Sequence, residues 1–391
     1  MFSARLPASL APNRIAVALD AARASGRELL DLTESNPTVV GLDYPADEIA
    51  AALADPRALV YAPTPRGLDD ARAAVAEYYA RHGRTVDPAH VWLTASTSEA
   101  YSHLFKLLCN PGERVLVPRP SYPLFDLLAR LESVELGHYP VRYHGGWFLD
   151  AEEVRSAIDA RTRAVLVVNP NNPTGSFLKR REAGALERLC EERGLALICD
   201  EVFADYGRVD EAHGGERVTT LVDRTRALTF SLSGLSKPVG LPQLKLGWIH
   251  VAGPAALVAE AEARLEVILD SFLSVAAPVQ HAARRLLALT ENIGRQIAAR
   301  VHSNRARVAA SVRGTALQLL DAEGGWYAVL RVPNTRSEEE WVLALLDDGV
   351  IVQPGFFFDF EREAYLIVSL LVAPEVLDAG LSRIRKRVEE G

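Results

Sequence analysis

Three cysteines, one methionine and no dense basic block are what this 391-residue chain is short of. Cys109, Cys190 and Cys199 form no Cys-x-x-Cys pair and no metal-ligand spacing, so neither a disulfide scaffold nor a metal site is expected. So sparse and odd a count suits a reducing compartment with buried thiols. The absence of a Lys/Arg cluster argues against nucleic acid as a partner. A formal net charge of −8, with an isoelectric point near 5.7, argues against acidic membranes. No apolar run approaches the roughly 18–20 residues of a membrane span, and Met1 to Leu6 shows no signal-peptide core. A soluble cytoplasmic protein without membrane contact is the expectation.

What is present is ample apolar material, 49% of residues, over a length that suggests two or three domains. Apolar β-like runs alternate with amphipathic helical stretches, which predicts an α/β domain with a largely parallel sheet. Strands are expected at Leu29–Leu32, Val91–Thr94, Arg114–Val117, Arg163–Val168, Leu195–Cys199, Arg226–Phe230 and Leu246–Val251. Helices are expected over 12–30, 46–54, 68–82 and 95–109, then over 254–272 and one long stretch at 279–312. The last quarter changes character. Strands at Gly324–Arg331 and Tyr365–Ser369, with helices at 337–347 and 374–390, predict a smaller second domain. The boundaries expected are 40–280 for a large domain, with 1–39 and 281–391 together forming the small one.

Polar motifs fall just after four of these runs. Ser231-Leu-Ser-Gly-Leu-Ser-Lys237 reads as a Ser/Gly-rich turn carrying a lysine, with Lys245 eight residues on. A lysine desolvated or flanked by another cation can form a Schiff base with a carbonyl; the plainer reading is a solvated loop. Asp200 ends a buried strand and needs a cationic partner to remain ionised, such as a protonated pyridine nitrogen, unless it merely caps a helix. Asn172, in an Asn/Pro/Gly turn, can donate to a phenolate oxygen or simply shape the turn. Ser96 and Thr97 precede a helix, where N–H groups and hydroxyls hold a phosphate; an N-cap uses the same geometry. Tyr122, between prolines, can stack on an aromatic ring or sit in the core. In open α/β sheets, strand ends converge on the ligand crevice. Taken together these residues describe a pyridoxal 5′-phosphate site.

The motifs Asn169-Pro-Asn-Asn-Pro-Thr-Gly175, Asp200-Glu-Val-Phe203, Ser233-Gly-Leu-Ser-Lys237 and Lys245-Leu-Gly247 resemble those of the class I/II aminotransferases, within the fold-type I pyridoxal-phosphate enzymes. Tyr61 to Gly67 and Gln353-Pro-Gly355 resemble further family segments, and the likeness runs from about residue 30 to 385. It implies a large domain with a mostly parallel seven-stranded sheet between helices, plus a smaller α+β domain. It implies a homodimer whose active sites lie between subunits, with an amino donor and a 2-oxo acid as substrates. The roles it implies are Lys237 as the Schiff-base lysine, Asp200 on the pyridine nitrogen, Asn172 on the ring oxygen and Tyr122 as the stacking ring. Ser96, Thr97, Ser236 and Lys245 would hold the phosphate, joined by Tyr61 of the neighbouring subunit. Ser35, Asn36 and Ile367 fall at substrate positions.

The chain departs from the family pattern at four places. Phe203 stands where a tyrosine usually reaches the ring oxygen. Gly234 stands for a usual serine, which Ser233 or Ser236 can replace. Lys245 stands for an arginine, a point charge in place of a fork. Ile367 stands where an arginine usually grips the substrate carboxylate, close to the aromatic run Phe356–Phe360. Either Arg331, Arg362 or another cation takes over, or the substrate has an apolar portion and no free α-carboxylate there. A β-elimination lyase shares all these motifs, and a binding domain without turnover would share the fold.

Overall fold

A computed structural model describes residues 2–208, 216–273, 275–361 and 364–390. Its centre is an eight-stranded sheet. In spatial order the strands are Val91–Thr94, Gly247–Ala252, Thr229–Gly234, Ala196–Asp200, Thr162–Val168, Arg114–Arg119, Glu135–Tyr143 and Trp147–Leu149. The five from Thr229–Gly234 to Glu135–Tyr143 run parallel, and the other three join antiparallel. Seven strands were expected. The eighth is Trp147–Leu149, which folds back on Glu135–Tyr143 through a short Gly145-Gly146 turn. Every residue of Ala196–Asp200 and of Thr229–Gly234 is buried, as expected for central strands covered on both faces.

The small sheet runs Gln318–Leu319, Tyr327–Arg331, Tyr365–Ser369, Gln353–Pro354, all antiparallel. Helix Glu338–Asp347 packs beside it, and Pro374–Glu389 packs against Leu30–Asp31 and Val350–Ile351. Its two faces differ. Ala328, Leu330, Leu366 and Val368 join one apolar cluster, while Val329 and Ile367 join another with Leu116, Tyr139 and Phe358. Leu30–Asp31 pairs in parallel with Val350–Ile351, so the start of the chain is stitched to its last quarter.

Two expected elements came out differently. The Ser/Gly-rich turn is half strand: pairing continues to Gly234, and Ser231 and Ser233 are buried inside the sheet. The turn proper starts at Leu235. The long helix expected over 279–312 is broken into Ala277–Ala288 and Ile293–Ser311, with a 3-10 turn at Leu289–Glu291. The break brings Gly294 against the lysine loop: a Cβ on it would lie 2.9 Å from the Pro238 carbonyl oxygen. Among the described residues, no helix is long and apolar enough to cross a membrane.

Candidate active site

Register sets the site. Thr94 pairs with Gly247 and Gly247 with Gly234, so three strands reach the same level; Leu232, on the third of these, is aligned in the same way with Asp200 and Val168 on the next two. The segments leaving these strands therefore emerge at one sheet end: Ser96, Asn169–Gly175, Asp200 and the loop from Leu235 to Lys245.

Asp200 is 7% exposed. Its Oδ2 accepts from the Tyr101 hydroxyl at 2.6 Å and its Oδ1 from the Val202 N–H at 3.1 Å. Burial raises its pKa, while the Tyr101 and Val202 hydrogen bonds and the Lys237 charge pull the other way. Burial brings the Lys237 amine down to about 8, against the attraction of Asp200. The lysine backbone is fixed from behind, where the Tyr206 hydroxyl donates to the Lys237 carbonyl at 2.6 Å.

Ser96 caps the helix Thr97–Leu108: its hydroxyl accepts from the Glu99 N–H at 3.1 Å. The hydroxyl thus serves the cap, but the N–H groups of Thr97 and Ser98 find no acceptor among the described residues. These, with the positive end of the helix, suit an anion. Lys245 is exposed, has left-handed φ of 55°, and makes no ion pair among the described residues. It lies two residues before Gly247, whose absent Cβ leaves room for the Ser96 carbonyl carbon and Thr94 Oγ1, each 3.1 Å from where it would lie. The Ser236 hydroxyl makes no hydrogen bond among the described residues.

Asn172 is 7% exposed, and its buried Oδ1 has no partner among the described residues. Its Nδ2 also makes no hydrogen bond among the described residues, and that N–H is the donor a phenolate ring oxygen would need. Tyr122 is half-buried, edge-to-face with Phe125 at 5.6 Å, and its hydroxyl is pushed up to about 12, mainly by burial. These groups fit pyridoxal 5′-phosphate: an open amide, a buried carboxylate, a desolvated amine and unpaired helix N–H groups. No cluster of metal-ligating side chains occurs among the described residues.

The other expected residues have varied surroundings. Tyr61 is 80% exposed in a loop with exposed Leu59 and Val60, turned away from its own chain's core. Ser35 lies against the Tyr327 hydroxyl. Asn36 is exposed, and its side chain caps a short turn by accepting from the Thr38 N–H at 3.0 Å. Ile367 is fully buried, paired between Val329 and Gln353. Arg331 is exposed at the end of the neighbouring strand, and Arg362 lies outside the described residues.

Three residues near the site carried no sequence signal strong enough to single them out. Tyr101 sits one turn into the Ser96-capped helix, on its buried stripe beside Ala100 and Leu104. Tyr206 and Trp326 sit in irregular segments next to glycines, Gly207 and Gly324-Gly325. Only the Gly-Gly pair hinted that a backbone passes close to another.

Comparison with known proteins agrees with this geometry. The family model described as aminotransferase class I and II matches residues 27–384. A glutamate-pyruvate aminotransferase of Escherichia coli is 25% identical over 371 residues, covering 92% of this chain and 90% of that one. A mouse tyrosine aminotransferase is 30% identical over 230 residues, 58% of this chain and 49% of its own. Among solved structures, an alanine aminotransferase from Pyrococcus furiosus superposes with a TM-score of 0.88 at 22% identity, over 100% of both chains. An aspartate aminotransferase of Thermus thermophilus gives 0.84 at 23% identity, over 99% of each. At such identities the two structures speak for the fold.

Proposed function

The chain belongs to the class I and II aminotransferases, and we propose that it moves an amino group between an amino acid and a 2-oxo acid with Lys237 at the reacting centre. Pyridoxal 5′-phosphate is its cofactor. The observation that carries the site assignment is buried Asp200 and desolvated Lys237 at one sheet end, each acting on the other's charge, beside the open amide of Asn172.

Bound there, the cofactor supplies an electron sink that acidifies the substrate's Cα–H. Asp200 would hold the ring nitrogen protonated, a cation that in turn offsets the cost of burying the carboxylate. Asn172 would bind the ring oxygen and Tyr122 cover the ring face. The N–H groups from Thr97 onward, with Lys245 and Ser236, would hold the phosphate. Lys237, with a pKa of about 8, is poised to take the Cα proton and to return it near neutral pH. Phe203 offers no hydroxyl to the ring oxygen.

The exposure of Tyr61, Leu59 and Val60 supports a homodimer in which Tyr61 reaches the partner's phosphate site. The pairing of Leu30–Asp31 with Val350–Ile351 supports the grouping of 1–39 with 281–391 as a small domain closing on 40–280. A cytoplasmic setting suits three unpaired cysteines. Ser35, Asn36 and Ile367 belong to the substrate side of this reading, Ile367 as part of an apolar wall.

The test is an absorbance spectrum of the purified protein, followed by amino donors added singly. One donor should convert the visible band to that of the aminated cofactor, and a 2-oxo acid should reverse it. Borohydride should fix the cofactor on Lys237. Label on another lysine, or release of ammonia without transfer, overturns the reading.

A further inference from the structure

The amine of Lys237 lies 4.7 Å from the ring centre of Trp326 and 5.4 Å from that of Phe203. The two rings meet edge to face at 5.3 Å, and Tyr206 closes on the indole at 5.1 Å. Trp326 is fully buried, yet its indole N–H has no acceptor among the described residues. An unpaired buried N–H is unfavourable, and phenylalanine or leucine would fill this space without one. What only the indole adds is the strongest aromatic face for a cation.

The backbone holds that face in place. Gly324 bridges to Gly207, the Glu323 N–H donates to the Gly175 carbonyl at 3.0 Å, and the Leu370 N–H donates to the Trp326 carbonyl at 2.7 Å. Buried Glu323 anchors the turn through Lys179, Arg217 and the Phe177 N–H.

We propose that Trp326, with Phe203 beside it, is a positioning residue that holds the ammonium form of Lys237 at one place in the pocket. The charged group acting on this amine is Asp200. The nearby hydroxyls of Tyr206 and Tyr44 are bonded to the carbonyls of Lys237 and Gly240. The aromatic faces therefore work with Asp200, and against burial, to keep the amine a competent base and to fix where it carries its proton. The consequence for catalysis rests on Lys237 being the cofactor lysine; the contact does not.

The chain has five lysines, so the full chain freed of cofactor and labelled with carbon-13 at lysine Cε gives a resolvable titration by NMR. Lys237→Ala assigns the signal. Trp326→Leu should lower the Lys237 midpoint by about 0.5–1 pH unit, and Trp326→Phe should recover much of the loss. Lys179 and Lys245 should not move. A Leu variant that titrates with the wild type overturns the proposal. Should Trp326→Leu lack a cooperative thermal transition, Phe203→Leu takes its place with a smaller drop in the same direction, and no drop there is equally fatal. Failure of borohydride to label Lys237 would instead refute the functional reading and leave this titration interpretable.

Discussion

Tyr101 donates its hydroxyl to Oδ2 of Asp200 at 2.6 Å, from the second turn of the helix that Ser96 caps. On the proposed function, one helix would serve both ends of the cofactor. Removing the donor in Tyr101→Phe raises the Asp200 pKa further, because burial is then less opposed. Hydrogen bonds to charged groups contribute about 1.5–3 kcal/mol, so kcat should fall about tenfold or more. The acid limb of the pH–rate profile should move up, since the carboxylate must be ionised to act. A profile that keeps its acid limb in place would separate Tyr101 from this role.

Lys237→Ala should lose transamination by about 10²–10⁴-fold, the usual contribution of a positioned acid–base group, or more if covalent anchoring also matters. Steady-state assays and borohydride labelling read this together. Added methylamine should restore part of the rate.

Gly175 has φ of +68°, and a Cβ there would lie 2.2 Å from the Gly324 carbonyl oxygen. Gly145 has φ of +75° with nothing within 4 Å. Gly145→Ala should cost about 1–2 kcal/mol, the left-handed penalty alone. Gly175→Ala should cost about 2 kcal/mol more, because backbone cannot yield cheaply. Urea melts of the two variants isolate the contact.

Burial pushes the Glu201 carboxyl from 4.5 up to about 7, although Thr220 Oγ1 and the Leu221 N–H donate to it. A folded pKa above the unfolded one means the folded chain binds more protons between those values. Its stabilising contribution is complete below about 4.5 and is lost as pH rises through about 7. The full span is worth about 3 kcal/mol at most. Denaturation of Glu201→Gln across this range should show a shallower decline than wild type, and parallel curves would count against it.

Ile367→Arg should destabilise the fold by about 3 kcal/mol or more, since Ile367 is fully buried between Val329 and Gln353 and an unpaired guanidinium would be left there. Activity on ordinary α-amino acids should not rise. A folded variant with a large gain on such donors would show that this face receives the substrate carboxylate after all.

How far the chain could be read in advance depended on how local each signal was. Asp200 ends an uninterrupted apolar run, and Asn172 and Lys237 sit in compact motifs, so short windows placed them at one sheet end. Ser231 and Ser233 misled, because serines usually mark turns, whereas here they pair within a strand. The helix break at Asn292 was invisible because apolar spacing continues across it; the contact that goes with it, Gly294 against Pro238, is tertiary. Tyr101 reaches Asp200 across 99 positions, and Trp326 meets Lys237 from the other sheet, so no window contained either pair.

The parallel pairing of Leu30–Asp31 with Val350–Ile351 has a consequence for the order of synthesis. On a ribosome the central sheet can assemble once residue 252 has emerged, since all eight of its strands lie before that point. The first forty residues cannot. Their strand has to wait, unpaired, until Val350–Ile351 has emerged, so a nascent protein stalled short of Val350 would carry an assembled central sheet and a loose leading end.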